Sequence, residues 1–99
     1  MKTERTKVIF RIFPKSQGGD VIALFPALAG TCGKAGTCSS YQIVGEHSSA
    51  DIGLCTRLRR ATPAEYKDTA AILTRRGYVL DIRKRATRAD YNERVKQLA

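Results

Sequence analysis

The sequence predicts an α+β fold: a mainly antiparallel sheet of four to five strands, one helix packed on a face, and a C-terminal helix. Two features carry that expectation. Runs rich in β-branched and aromatic residues fill the first half of the chain. Helical start signals and i, i+3/i+4 spacing appear only after residue 60. Strands in a run with helices segregated late indicate α+β rather than alternating α/β, in the order β-β-β-(β)-α-β-α. The 99 residues make a single domain over 1–99, able to bury about two-thirds of its unfolded surface.

Lys7-Val-Ile-Phe-Arg-Ile-Phe-Pro14 reads as the first strand and Asp20-Val-Ile-Ala-Leu-Phe-Pro26 as the second. Between them Lys15 to Asp20 is a turn cluster, with Gly18 and Gly19 available for positive φ, so the pair is expected to form a hairpin. Residues 27–37 read as a small-residue loop. Ser40 to Gly45 is a third strand ending at a Gly-Glu-His turn. Ile52, Leu54, Thr56 and Leu58 alternate with Gly53, Cys55, Arg57 and Arg59, a weak fourth strand.

The helical boundaries are sharper. Thr62, Pro63 and Glu65 form a capping-box signature. Tyr66, Ala70 and Leu73 then share a face, and Gly77 ends the helix. Residues 78–85 follow as a strand with Tyr78, Leu80 and Ile82 facing inward. Thr87 and Asp90 open a second helix whose Tyr91-Val95-Leu98 stripe is expected in the core, with a partner or dimerisation surface as the alternative.

Composition bounds the function. The net charge is +9, of which residues 1–20 carry +3, residues 21–50 carry 0 and residues 51–99 carry +6. Such a surplus favours a polyanionic partner, nucleic acid or an acidic protein face, although a basic solvated surface also keeps a small protein soluble. No apolar run approaches the roughly 20 residues needed to span a bilayer. The charged MKTERTK start lacks a signal-peptide apolar region. The expected compartment is therefore the cytoplasm. Three cysteines, an odd number, suit reduced thiols better than a disulfide framework.

If alternate residues of the first and last strands face outward, Arg11, Phe13, Arg83, Lys84 and Arg85 offer guanidinium groups and an aromatic ring to a single-stranded nucleic acid. Arg57 and Arg59, with Arg60, would extend the patch. Charge that merely protects an edge strand is the competing explanation. A polar recognition site around Ser40, Tyr41, Glu46, His47 and Asp51 is the second candidate, where His47 is the sole imidazole able to shuttle protons near neutrality. Cys38 or Cys55 would be a nucleophile only if His47 lowered its pKa. Cys32, Cys38, His47 and Cys55 supply the Cys3His set that zinc accepts, but their spacing matches no compact zinc motif, and buried inert thiols are the expected alternative. The glycine-rich stretch fails as a phosphate loop, because Leu28 stands five residues before Gly33 and Ala35 follows Lys34. No cofactor is implied, no complete catalytic motif is present, and nothing in the pattern sets an oligomeric state.

The series Ala23-Leu-Phe-Pro26, Cys38-x-Ser40-Tyr41, Val44-Gly45-x-His47-Ser48, Ala61-Thr-Pro-x-Glu-Tyr66 and Gly77-Tyr78 resembles a family of small uncharacterised proteins carried by phages, plasmids and other mobile elements. The similarity spans about residues 7–88. Ile43 and Glu46 stand where the family pattern has His and Gln, so a mechanism needing two histidines is not expected here. The resemblance implies a setting, an accessory protein acting on nucleic acid or on a host system such as defence, and supplies no reaction. Three functions follow as expectations: a basic nucleic-acid-binding module, a protein-binding modulator of a host system, and an enzyme or zinc module centred on Cys38, His47 and Cys55. An enzyme is the least favoured.

Overall fold

A computed structural model describes residues 5–30, 32–34, 36–43 and 46–98, excepting the side chain of Glu46. Its strands are β1 (Thr6–Ile12), β2 (Val21–Ala29), β3 (Thr37–Gln42), β4 (Glu46–Asp51), β5 (Arg59–Arg60) and β6 (Leu80–Ile82). Its helices are the single turn α1 (Leu54–Arg57), α2 (Pro63–Arg75) and α3 (Arg88–Leu98). The fold is α+β. Strands β4-β3-β2-β1 form an antiparallel meander. The outer edge of β1 is divided: β6 pairs in parallel with Thr6–Val8, and β5 pairs antiparallel with Arg11–Ile12.

Local chemistry explains the elements that match expectation. Phe13 N–H donates to Asp20 O at 3.0 Å to close the first hairpin, with Gly18 and Gly19 at φ 108° and 71°. Thr62 and Glu65 cap α2 reciprocally: Glu65 N–H donates to Thr62 Oγ1, and Thr62 N–H donates to Glu65 Oε1. At the other end Gly77 takes φ 102°, while Tyr78 N–H and Gly77 N–H donate to Leu73 O and Thr74 O in a Schellman arrangement.

Several expectations need correction. The third strand lies at Thr37–Gln42, and Glu46 and His47 belong to a polar strand rather than to a turn; Val44 and Gly45 lie outside the described residues. The weak fourth strand around Ile52–Arg59 is instead α1 followed by the two-residue β5. Asp51 Oδ1 accepts from Gly53 N–H at 2.8 Å, which bends the chain into that helical turn. Only Leu80–Ile82 of the 78–85 segment is strand, and Ile82 is half-exposed.

Both faces of the central strands are covered. On one, Val8, Phe10, Ala23, Phe25 and Tyr41 pack against Tyr66, Ala70 and Leu73 of α2, with Phe10 stacked on Tyr66 at 4.3 Å. On the other, Ile9, Ile22, Leu24 and Cys38 meet Cys55, Leu54 and Leu58 around α1. Burying each large apolar side chain contributes about 1.5–3 kcal/mol, so these two clusters supply most of the stabilisation.

Helix α3 docks on this second face through polar groups. Strand β2 bulges between Phe25 and Ala29, leaving backbone groups without β3 partners. Arg94 donates to Pro26 O, Gln97 Nε2 donates to Ala27 O at 2.8 Å, and Ala29 N–H donates to Gln97 Oε1 at 2.7 Å. Buried Asp90 accepts from Lys7 Nζ at 2.9 Å and from Thr87 N–H, closing a second capping box. The apolar stripe therefore points outward, with Tyr91, Val95 and Leu98 exposed by 46%, 40% and 37%. The bulge's need for hydrogen-bond partners outweighs the stripe's apolar area in fixing which face of the helix is buried.

Burial alone would raise the Asp90 carboxyl; the Lys7 and Thr87 hydrogen bonds outweigh it and hold the group below the usual carboxylate range. A depressed folded-state pKa stabilises at pH values above the unfolded value of about 3.9 and loses that contribution as pH falls through the folded value. Asp90→Asn should cost about 2 kcal/mol at neutral pH. In urea melts, its difference from the wild type should shrink at about pH 3. An equal difference at both pH values would contradict an ionised Asp90.

Candidate nucleic-acid interface

The divided edge of β1 is organised by Arg11. Strand alternation puts it on the face of Ile9, and that face is covered, leaving Arg11 only 4% exposed. Its Nε donates to Cys55 O at 2.9 Å, Nη1 to Phe10 O at 3.1 Å, and Nη2 to Lys84 O. Burial pushes its pKa down, the nearby Cys55 thiol works upward, and Arg60 adds to the lowering. A guanidinium nonetheless stays charged throughout the accessible range. Arg11 is thus removed from the solvent surface where the sequence pattern put it. Alternation reports the side a residue faces but not whether another segment covers that side. Its role is to hold α1 and the segment after β6 against β1.

Those two segments carry the basic residues to the rim. Arg57, Arg59, Arg60, Arg83, Lys84 and Arg85 are all exposed there. Arg59 reaches Glu65 through two bonds of 3.1 and 2.7 Å, holding the Glu65 carboxyl down to about 2. Arg57 lies 3.5 Å from Asp51, and Arg83 contacts Asp81 at 2.9 Å. A single-contact exposed pair such as Arg57–Asp51 is worth about 0–1 kcal/mol and exchanges readily for a competing anion, whereas the two-bond Arg59–Glu65 contact is the firmer one. Lys15, Arg60, Lys84 and Arg85 have no carboxylate within salt-bridge distance among the described residues.

Two cavities flank β5. The larger, about 490 Å³, is lined by apolar Ile12, Phe13 and Leu58 together with Lys15, Arg57, Arg59 and Glu65. The smaller, about 240 Å³, lies between β5 and β6 and is lined by Phe10, Tyr66 and Ile82 together with Arg60, Arg83 and Lys84. Phe13 is half-buried and lines the larger one. Lys15 was not among the candidate residues of the sequence; its position directly after Phe13-Pro14, at the start of the turn, is the signal that could have found it.

The polar strand assembles differently. Tyr41 and His47 face each other across β3 and β4 with ring centroids 4.9 Å apart. His47 Nε2 shares a 3.0 Å hydrogen bond with Tyr78 OH, and Arg76 lies 5.1 Å above the Tyr41 ring. Tyr78 and Arg76 are partners that the sequence reading did not assign to this group. Ser40 points to the opposite face, its hydroxyl donating to Ser48 O at 3.1 Å. Asp51 lies four residues along β4 from His47, about 13 Å at strand rise, engaged with Gly53 and Arg57. Ser40 and Asp51 therefore do not converge with Tyr41 and His47, and the Glu46 side chain lies outside the described residues.

The cysteine constellation is not assembled. Cys38 and Cys55 are buried on the α1 face, His47 is on the α2 face, and Cys32 is exposed in the loop with Sγ 3.0 Å from Thr37 Oγ1. Among the described residues no three His, Cys, Asp or Glu side chains come together as a metal would require. Burial pushes the Cys38 thiol up to about 12 and raises Cys55, the opposite of nucleophile activation. Among those residues, too, no helix is long and apolar enough to cross a membrane.

Two outcomes follow from this geometry. Arg11→Leu removes the guanidinium donor from the Cys55, Lys84 and Phe10 carbonyls, of which Phe10 O keeps Ala61 N–H at 3.3 Å, and should cost about 3 kcal/mol in urea denaturation. A loss below about 0.5 kcal/mol would show that Arg11 does not organise the edge. Alkylation at about pH 8 should modify Cys32 alone in the native protein and all three cysteines in concentrated urea. Native labelling of Cys38 at the rate of Cys32 would contradict its burial.

No family model, curated protein or solved structure matches this chain.

Proposed function

We propose that the protein is a small nucleic-acid-binding module, serving in the mobile-element setting that the sequence resemblance implies. The polyanion would lie along the β5–β6 edge rather than across a sheet face. The observation that carries this reading is the gathering of Lys15, Arg60, Lys84 and Arg85, which have no carboxylate partner among the described residues, beside the carboxylate-paired Arg57, Arg59 and Arg83. An edge stocked with weakly neutralised cations releases counterions when phosphates replace water there.

If four cations each neutralise one phosphate, the logarithm of affinity should fall against the logarithm of salt with a slope of about −3. Replacing Arg60, Lys84 and Arg85 together by Ala should weaken binding to every sequence and reduce that slope by about 2. Replacing Lys67 and Arg75, exposed on α2, tests whether net charge alone accounts for the affinity; these should leave the slope nearly unchanged. Absence of binding to DNA and RNA at about 50 mM salt would eliminate the reading, since phosphate contacts are strongest there. That result, with specific capture of one host protein through the Tyr91-Val95-Leu98 stripe, would favour the protein-binding modulator instead.

A further inference from the structure

We propose that the larger cavity beside β5 takes one unpaired base, stacked on Phe13, while the adjoining phosphates sit on Lys15, Arg57 and Arg59, so the preferred ligand is single-stranded. This rests on the polyanion reading of the β5–β6 edge and narrows it. Phe13 is the distinguishing group. In the smaller cavity Phe10 and Tyr66 stack on each other at 4.3 Å and 11°, so each already has one ring face occupied. Phe13 has no ring or cation stacked on it among the described residues; it is half-buried, packed against the Ile9–Leu24–Cys55 cluster, and lines the larger cavity with Ile12 and Leu58.

Charge sets the orientation. The Glu65 carboxylate borders the same cavity, ionised and already bonded to Arg59, so its oxygens accept protons but offer no donor to a phosphate, which is left to the cationic rim. An uncharged base has no such requirement, and an amino proton of it can meet Glu65 Oε2, which accepts one bond where Oε1 accepts two. Bases in a duplex are stacked on both sides and turned inward, so a recessed ring is reached only by an unpaired one. A duplex would touch the rim cations alone.

Fluorescence anisotropy with a labelled single strand and a blunt duplex of the same sequence, at about 50 mM salt, separates the cases. The single strand should bind about tenfold more tightly than the duplex. A 2-aminopurine in the strand should change its emission on binding, a readout needing no variant. Phe13→Leu should weaken the single strand about tenfold with the duplex affinity and the salt slope unchanged, and Phe13→Tyr should retain the wild-type preference. Equal affinity for strand and duplex, or Phe13→Leu within twofold of wild type while the Arg60, Lys84 and Arg85 replacements still weaken binding, overturns the base cavity and leaves the edge reading standing. No binding of either nucleic acid overturns both.

Discussion

Three carbonyls from separate parts of the chain, those of Phe10, Cys55 and Lys84, meet on the one buried guanidinium of Arg11. The segments they belong to have little stability of their own. Helix α1 is a single turn and β5 has two residues, neither able to persist in isolation. The planar fork of arginine supplies donors in fixed directions, so it sets the mutual positions of these segments as well as their energy. The basic rim is therefore a consequence of a buried cation: Arg11 carries one charge inside so that six others are displayed at a defined edge. A leucine there could fill volume but would satisfy none of the three carbonyls.

A similar exchange of apolar for polar contact shapes the other side of the molecule. Pro26 lacks an N–H and sits where β2 leaves its register with β3. The unpaired backbone at residues 26–29 is completed by Arg94 and Gln97, the Gln97 amide acting as a short substitute for strand pairing. Apolar packing tolerates sliding of a helix by fractions of a turn. Two-point amide recognition does not, so α3 is held in one register with its Tyr91 stripe toward solvent.

Legibility in the sequence tracked how local each determinant was. Thr62, Glu65 and Gly77 act within a few residues, and the ends of α2 were readable from them. Gly18 and Gly19 marked the first hairpin for the same reason. Strand β4 was missed because Glu46-His47-Ser-Ser-Ala-Asp51 has no apolar alternation; it is strand only because β3 offers it an edge. The orientation of α3 was misread since the stripe rule assumes an apolar docking surface, whereas the bulge in β2 requires hydrogen-bond donors and acceptors. Arg57 and Arg59 line one cavity with Phe13, whereas Arg83 and Lys84, expected beside that ring, line the other; Arg11, assigned to the surface, is buried. That error has a single cause: whether a strand face is covered depends on residues 44 to 73 positions away, and no local pattern reports it.

The parallel pairing of β6 with the start of β1 has a kinetic meaning as well. Lys7 is bonded to Asp90 across 83 residues, and the 80–84 segment closes on β1 across 73. Contacts of such separation demand the costliest loop closures in the chain, which favours their forming after the more local β1–β4 meander. A chain still emerging from synthesis can build that meander without residues 80–94, but it cannot yet juxtapose Arg60 with Lys84. The cationic edge thus exists only once the last segment has docked, so an incompletely made or truncated chain carries the same charges scattered and without a common address.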